Sequence, residues 1–146
     1  MHVLVVCVGN ICRSPFAAAC LQTSCRDLQV SSAGLAALID HPADAMVQQL
    51  AAEACLDLSH HVARQVLAEH VSQADLVLVM SQSQEKELIN RFPFARGRVY
   101  RLGHWAGYDI PDPYQQTIDI HRQVQTQIRD AVSNWCSRLA LLKGNK

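Results

Sequence analysis

The sequence predicts a single α/β domain organised on a parallel sheet. Two aliphatic runs, Val3–Val8 and Asp75–Met80, are continuous rather than alternating, the pattern of strands covered on both faces. They alternate with stretches of helical spacing, which implies right-handed crossovers between parallel strands. The third observation is size. A chain of 146 residues, 49% of them apolar, buries roughly 68–70% of the surface its unfolded form exposes, enough for a core without metal or disulfide staples. No repeat, low-complexity tract or Pro/Gly/Ser linker divides it, so residues 1–146 are read as one domain.

Val3–Val8 is the first strand. Ser14-Pro15 opens the first helix, with Ser14 expected as N-cap and Pro15 at the first helical position, running to about Arg26. Leu28–Ala33 is a short second strand ended by Gly34. Pro42 leads into a helix over Ala43–Ala54, where Met46, Val47, Leu50 and Ala54 share helical spacing. Asp75–Met80 is followed by a charged helical stretch from Gln82 to about Phe92, and Val99–Leu102 is the last strand. From about Thr117 to Leu142, the residues Ile120, Val124, Ile128, Val132, Trp135, Leu139 and Leu142 recur at 4-4-4-3-4-3 spacing, one apolar face of a long helix.

Charge and cysteine content narrow the function classes. Thirteen basic residues balance thirteen acidic ones, which argues against a disordered tail and a broadly basic nucleic-acid surface. The apolar N-terminus is too short for a signal segment or a membrane span and lacks a basic leader, and no later run reaches about 18 apolar residues. The expectation is a cytoplasmic protein without membrane insertion, whose six cysteines are free thiols rather than three bridges.

In such sheets ligands bind beyond the carboxyl ends of the strands. The first strand leads there into the segment Cys7-Val8-Gly9-Asn10-Ile11-Cys12-Arg13-Ser14-Pro15. A strand-loop-helix turn aims backbone N–H groups and the positive end of a helix dipole at one point, an anion site suited to phosphate. Gly9 can take the positive φ that such a loop requires, Asn10 tolerates the left-handed region and can brace the loop, and Arg13 offers a two-pronged donor. A cysteine thiolate in that setting is stabilised relative to the thiol, and Ser14 is placed to donate its hydroxyl to Cys7. A thiolate behind phosphorus is a nucleophile for phosphoryl transfer.

A tyrosine leaving group, with a phenol pKa of about 10, calls for a general acid. Asp112 is the candidate, because Pro111 and Pro113 stiffen the backbone on both sides. Asp109 lacks those flanks and ranks below it. Tyr114 stands beside the acid and can pack against an aromatic substrate.

These motifs resemble the low-molecular-weight protein tyrosine phosphatase family, whose signature is C-x5-R-[ST]-P near the N-terminus and D-P-[YF] near the C-terminus. Ser32-Ala33-Gly34 and His61-Val62-Ala63-Arg64-Gln65 match further family elements, so the resemblance spans essentially the whole chain. It implies a flavodoxin-like four-stranded parallel sheet flanked by helices, and hydrolysis of phosphotyrosine through a Cys7 phosphocysteine with Arg13 and Asp112. It also implies a phosphate loop of Val8, Gly9, Asn10, Ile11, Cys12, Arg13 and Ser14. In the family the equivalent of His61 hydrogen-bonds the loop asparagine; read from the residue alone, His61 is either that brace or a satisfied structural histidine. Leu35 and Tyr114 are expected at the substrate rim. Cys12 is either a reversible disulfide partner of Cys7, guarding it from over-oxidation, or a passive loop residue. Cys20, Cys25, Cys55 and Cys136 are expected as small buried hydrophobes, and Trp105 and Tyr108 as rim contacts or packing. No metal and no cofactor are implied.

Leu35, Gly103-His104-Trp105 and the Ile110–Tyr114 run resemble the bacterial branch associated with exopolysaccharide or capsule export. That likeness implies as partner a phosphotyrosine protein, the tyrosine-rich tail of a membrane-anchored autokinase. Ser81 and Gln115 depart from the common pattern, which has an acid and, in eukaryotic members, a second aromatic.

Other functions fit less well. Arsenate reductases of this fold need a resolving cysteine pair near mid-chain, and no cysteine lies between Cys55 and Cys136. In protein-arginine phosphatases a threonine follows the loop asparagine, where Ile11 stands here. No C-x2-C or C-x3-C pair suggests zinc, and the loop lacks the Gly-Lys-[Ser/Thr] ending of nucleotide-binding loops.

Overall fold

The computed structural model describes residues 1–144. In chain order the elements are β1 (His2–Cys7), α1 (Arg13–Ser24), β2 (Gln29–Gly34), α2 (Ala45–Glu53), α3 (Ala68–Gln73), β3 (Leu76–Val79), α4 (Gln82–Arg91), a 3-10 turn at Pro93–Ala95, β4 (Val99–Arg101) and α5 (Ile118–Gly144). The four strands form one parallel sheet in the order β2-β1-β3-β4. The fold is therefore the four-stranded α/β architecture expected from sequence.

Alternation along the strands divides the core. Val3, Val5 and Cys7 of β1 and Leu76 and Leu78 of β3 face one layer with Phe16 and Leu21 of α1, Val47 of α2 and Ile128 and Trp135 of α5. Leu4, Val6, Val77 and Val79 face the other with Val71 of α3 and Leu88 of α4. Both layers exclude water from β1 and β3, which explains why those strands read as unbroken aliphatic runs.

Several expectations change. The first helix begins at Arg13, with Cys12 at the N-cap position and no side-chain cap. Ser14 is therefore the second helical residue, and Pro15 the third, where its missing N–H is still one of the unpaired four. Asp44 caps α2 by accepting from the Met46 and Val47 N–H groups at 3.0 and 3.4 Å, which leaves Ala43 outside the helix. The α5 stripe is buried from Val124 to Trp135, while Ile120 and Leu142 at its two ends are exposed. The short α3 had no sequence signature, because six residues with a single buried side chain carry too little periodicity.

The cysteines differ most from expectation. Cys25 and Cys136 are joined as a disulfide, Cα atoms 6.2 Å apart, tying the end of α1 to α5. A separation of 111 residues left no local sign of it; helix packing brings the Cα atoms within the usual 4.4–6.8 Å span. Cys20 is buried as expected, whereas Cys55 is exposed. Among the described residues no helix is long and apolar enough to cross a membrane.

Candidate active site

At the sheet's centre, β1 lies between β2 and β3, so chain connections leave its carboxyl end in opposite directions and open a crevice there. Cys7 ends β1 and Arg13 begins α1, and the intervening loop wraps the crevice floor. A cleft of about 170 Å³ is lined by Cys7 and the loop, by Ala36 and Leu38 on one side, and by Asp112 and Tyr114 on the other.

The loop is held by Asn10, which is fully buried. At φ 60° it supplies the left-handed turn, while Gly9, expected to take that role, is not among the positive-φ residues. Every polar group of Asn10 is engaged. Its N–H points to Cys7 Sγ at 3.3 Å, its Nδ2 donates to Ser14 Oγ at 2.7 Å and Ser32 Oγ at 3.0 Å, and its Oδ1 accepts the Arg64 N–H at 3.0 Å. Its carbonyl accepts from His61 Nε2 at 2.7 Å. A satisfied network of this kind fixes one conformation, since breaking any member leaves another polar group buried and unpaired.

Ser14 Oγ lies 2.9 Å from Cys7 Sγ. Because that oxygen already accepts from Asn10, its own hydrogen is free to point to the sulfur. Arg13 is 5% exposed; one Nη donates to the Ile110 carbonyl at 2.9 Å and the other lies 3.7 Å from Asp112. Its Nε is buried without a protein partner, a donor available to an oxyanion. The α1 N-terminus adds unpaired N–H groups beside it.

Asp112 is half exposed, its Oδ1 accepting the Tyr114 N–H at 3.0 Å. Asp109 is occupied elsewhere, its Oδ1 accepting from Arg101 at 2.9 Å and the Gln82 N–H at 3.2 Å. Of the two aspartates, Asp112 is the one at the cleft. Cys12 also lines the cleft, and burial, reinforced by Asp44, pushes its thiol well above the ordinary range.

Leu35 is not at the rim. Its N–H donates to the Cys7 carbonyl at 2.9 Å, and strand alternation turns its side chain, like that of Ala33, into the core layer on the α3/α4 face. The residues missed from sequence are Ala36 and Leu38, which form that wall, and Ser32, Arg64 and Ile110, which brace the loop or Arg13. Ser32 and Arg64 lay within recognised motifs without an assigned role; Ile110 acts through a carbonyl, which any residue would supply. Tyr108 is packing, its hydroxyl donating to the Gln127 carbonyl at 3.0 Å. Trp105 stacks edge-on with His104 and Trp135, under Arg138 at 4.4 Å, away from the cleft. Ser81 caps α4 by accepting the Gln84 N–H at 3.2 Å. Among the described residues no three His, Cys, Asp or Glu side chains converge as a metal site.

Residues 2–144 match the family described as low molecular weight phosphotyrosine protein phosphatase. The chain is 41% identical over 138 residues to the low molecular weight protein-tyrosine-phosphatase Ptp of Acinetobacter johnsonii, covering 94% of this chain and 97% of that one. Its fold superposes on Vibrio vulnificus Wzb, solved in complex with benzylphosphonate, with a TM-score of 0.91 at 40% identity, over 94% of this chain and 97% of that one. It also superposes on the YwlE arginine phosphatase of Geobacillus stearothermophilus, TM-score 0.93 at 27% identity, over 99% and 96% of the two chains.

Proposed function

The chain belongs to the low molecular weight phosphotyrosine protein phosphatase family and is a protein-tyrosine-phosphatase; from that premise we propose that it works through a Cys7 phosphocysteine with Asp112 as general acid and base. The observation that carries the reading is Cys7 Sγ, held by the Asn10 N–H and Ser14 at the floor of a cleft that also contains Arg13 and Asp112.

The phosphate dianion binds within the loop from Val8 to Ser14, its charge met by backbone N–H groups, the α1 terminus and the Arg13 guanidinium. Cys7 thiolate attacks phosphorus as the bond to the phenolic oxygen breaks, and Asp112 gives its proton to that oxygen. Asp112, now a carboxylate, takes a proton from water as that water attacks the phosphocysteine. The S–P bond breaks, releasing inorganic phosphate and restoring the thiolate. Ser14 stabilises the sulfur anion at both ends of the cycle. Cys7→Ser removes the thiolate with little change in volume; phosphotyrosine turnover is expected to vanish while unfolding stays cooperative, and retained turnover would overturn the mechanism.

The protein substrate in this reading is the tyrosine-rich tail of a membrane-anchored tyrosine autokinase that controls exopolysaccharide or capsule production, met in the cytoplasm. Support comes from Gly103-His104-Trp105 and the Ile110–Tyr114 run, which resemble that branch. Cys7→Ser protein used as a trap is expected to retain the phosphorylated autokinase, and recovery of other phosphoproteins without it would redirect the assignment. The likeness to an arginine phosphatase supplies the competing substrate. Ile11 in the loop and the higher identity to tyrosine phosphatases favour the phenyl ester. Faster hydrolysis of phosphoarginine than of phosphotyrosine peptides would reverse that choice.

A further inference from the structure

Segment 61–65 meets the site on two sides, and only one side serves the phosphate loop. His61 and the Arg64 N–H hold Asn10. Gln65 turns the other way. Its Oε1 accepts the Ala37 N–H at 2.9 Å and its Nε2 donates to the Leu35 carbonyl at 2.8 Å, an oxygen that also accepts from Arg91 Nη1 at 2.6 Å, so that one amide straddles Ala36 and alone holds the Ala37 N–H. The Gln65 backbone is itself pinned against β2, since Gly34 donates to the Arg64 carbonyl and accepts from the Val66 N–H, each at 2.9 Å.

The strip it grips is the wall of the cleft. Of the four N–H groups from Leu35 to Leu38, three donate to the end of β1 and the phosphate loop: Leu35 to the Cys7 carbonyl, Ala36 to Val8 and Leu38 to Gly9, at 2.9 to 3.0 Å. The fourth, that of Ala37, goes to Gln65. Beyond that bond stands Leu38, 36% exposed and lining the cleft together with Ala36.

We propose that Gln65 is a positioning residue for the aryl group of the substrate, its side-chain amide fixing the strip 35–38 so that Ala36 and Leu38 stand where the ring must lie. The inference rests on the reading of the cleft as a phosphotyrosine site. Gln65 touches no reacting atom. Because the phosphate loop has separate braces in His61 and Arg64, loss of the Gln65 amide loosens the aryl wall and leaves capture of the phosphate group intact. Binding lost equally from ground and transition state appears in KM and leaves kcat unchanged.

The test compares wild type with Gln65→Leu, which keeps the bulk and removes both hydrogen bonds. On a phosphotyrosine peptide, KM is expected to rise about five-fold with kcat within about two-fold, while the inhibition constant of inorganic phosphate, which has no ring, stays unchanged. Leu38→Ala, which removes the wall side chain directly, is expected to raise KM likewise, and the double variant to be little worse than either single one. Should Gln65→Leu not fold, the same quantities are read on Gln65→Glu, which keeps the acceptor for Ala37 and loses the donor to Leu35; a smaller rise in KM alone is then expected. An unchanged KM, a phosphate inhibition constant that rises in step with KM, a fall in kcat alone, or fully additive single effects would each overturn the inference. The underlying reading fails separately, through Cys7→Ser: a live Cys7→Ser enzyme removes the phosphatase mechanism, whereas a dead one beside a wild-type-like Gln65→Leu removes only the role of Gln65.

Discussion

Asp109 and Asp112 stand three residues apart, yet only Asp112 lines the cleft. Asp109 is engaged by Arg101 and the Gln82 N–H, whereas Asp112 keeps one oxygen on the Tyr114 N–H and the other toward Arg13. Asp112→Asn is therefore expected to slow phosphotyrosine hydrolysis by roughly 10²–10⁴, and to slow an activated aryl phosphate, whose leaving group needs no proton, far less. Equal losses on both substrates would assign Asp112 a binding role instead. Which aspartate lines the cleft was legible in the sequence because flanking prolines are a local signal. The carbonyl of Ile110 that orients Arg13 was not, since a backbone acceptor has no side-chain signature. The cysteines make a second prediction at this scale. Burial raises Cys20 to about 11 and lifts Cys12 further still, so both remain protonated thiols at pH 8, and alkylation needs the thiolate. Exposed Cys55 is expected to label well before either, and mass spectrometry showing Cys12 labelled as fast as Cys55 would contradict the burial argument.

Between residue and fold, the loop depends on how closely β2 approaches it. A Cβ on Gly34 would stand 2.5 Å from the Val8 carbonyl oxygen and 3.0–3.1 Å from Ala37; Val8 lines the cleft and Ala37 lies between its lining residues Ala36 and Leu38. The obstruction is mainly backbone, so no side chain can swing aside. Gly34→Ala is expected to cost roughly 1–3 kcal/mol of stability and to lower activity by displacing the loop; a urea midpoint and phosphotyrosine kcat equal to wild type would show that the loop can yield. The motif containing Gly34 was recognisable in the sequence, but its reason was not, because close approach is a property of two segments. The same limit explains Ser14. Ser-Pro is a sound helix-start signal, yet the Ser14 hydroxyl is committed to Cys7 and Asn10, so the helix begins two residues earlier, at Arg13, without a side-chain cap. Leu35 was misplaced for a related reason, since only the register of β2 decides which way it points.

Across the whole molecule, strand identity and order of elements were legible because β1 and β3 are buried on both faces and α5 keeps one apolar stripe over several turns. Contact between distant ends of the chain was beyond the reach of sequence. Cys25 and Cys136 close the far end of the α1/α5 layer, while Arg13, at the opposite end of the twelve-residue α1, lies about 18 Å away along the helix axis. Stability and chemistry are thereby placed at opposite ends of one helix. Closing a loop of this length restricts the unfolded chain, and its loss typically costs roughly 2–4 kcal/mol. Cys25→Ser, or wild type held in a dithiol reductant, is expected to lower the unfolding free energy by that amount, read as a lower urea midpoint at unchanged slope, while phosphotyrosine kcat and KM stay at wild-type values. Thiol titration of the denatured, unreduced protein is expected to find four thiols, the six cysteines less the pair; six thiols with no shift on reduction would remove the clamp. A fall in kcat that tracks the fall in stability would instead mean that α1 transmits its far end to Arg13, and that the loop is less independently braced than Asn10 and His61 imply.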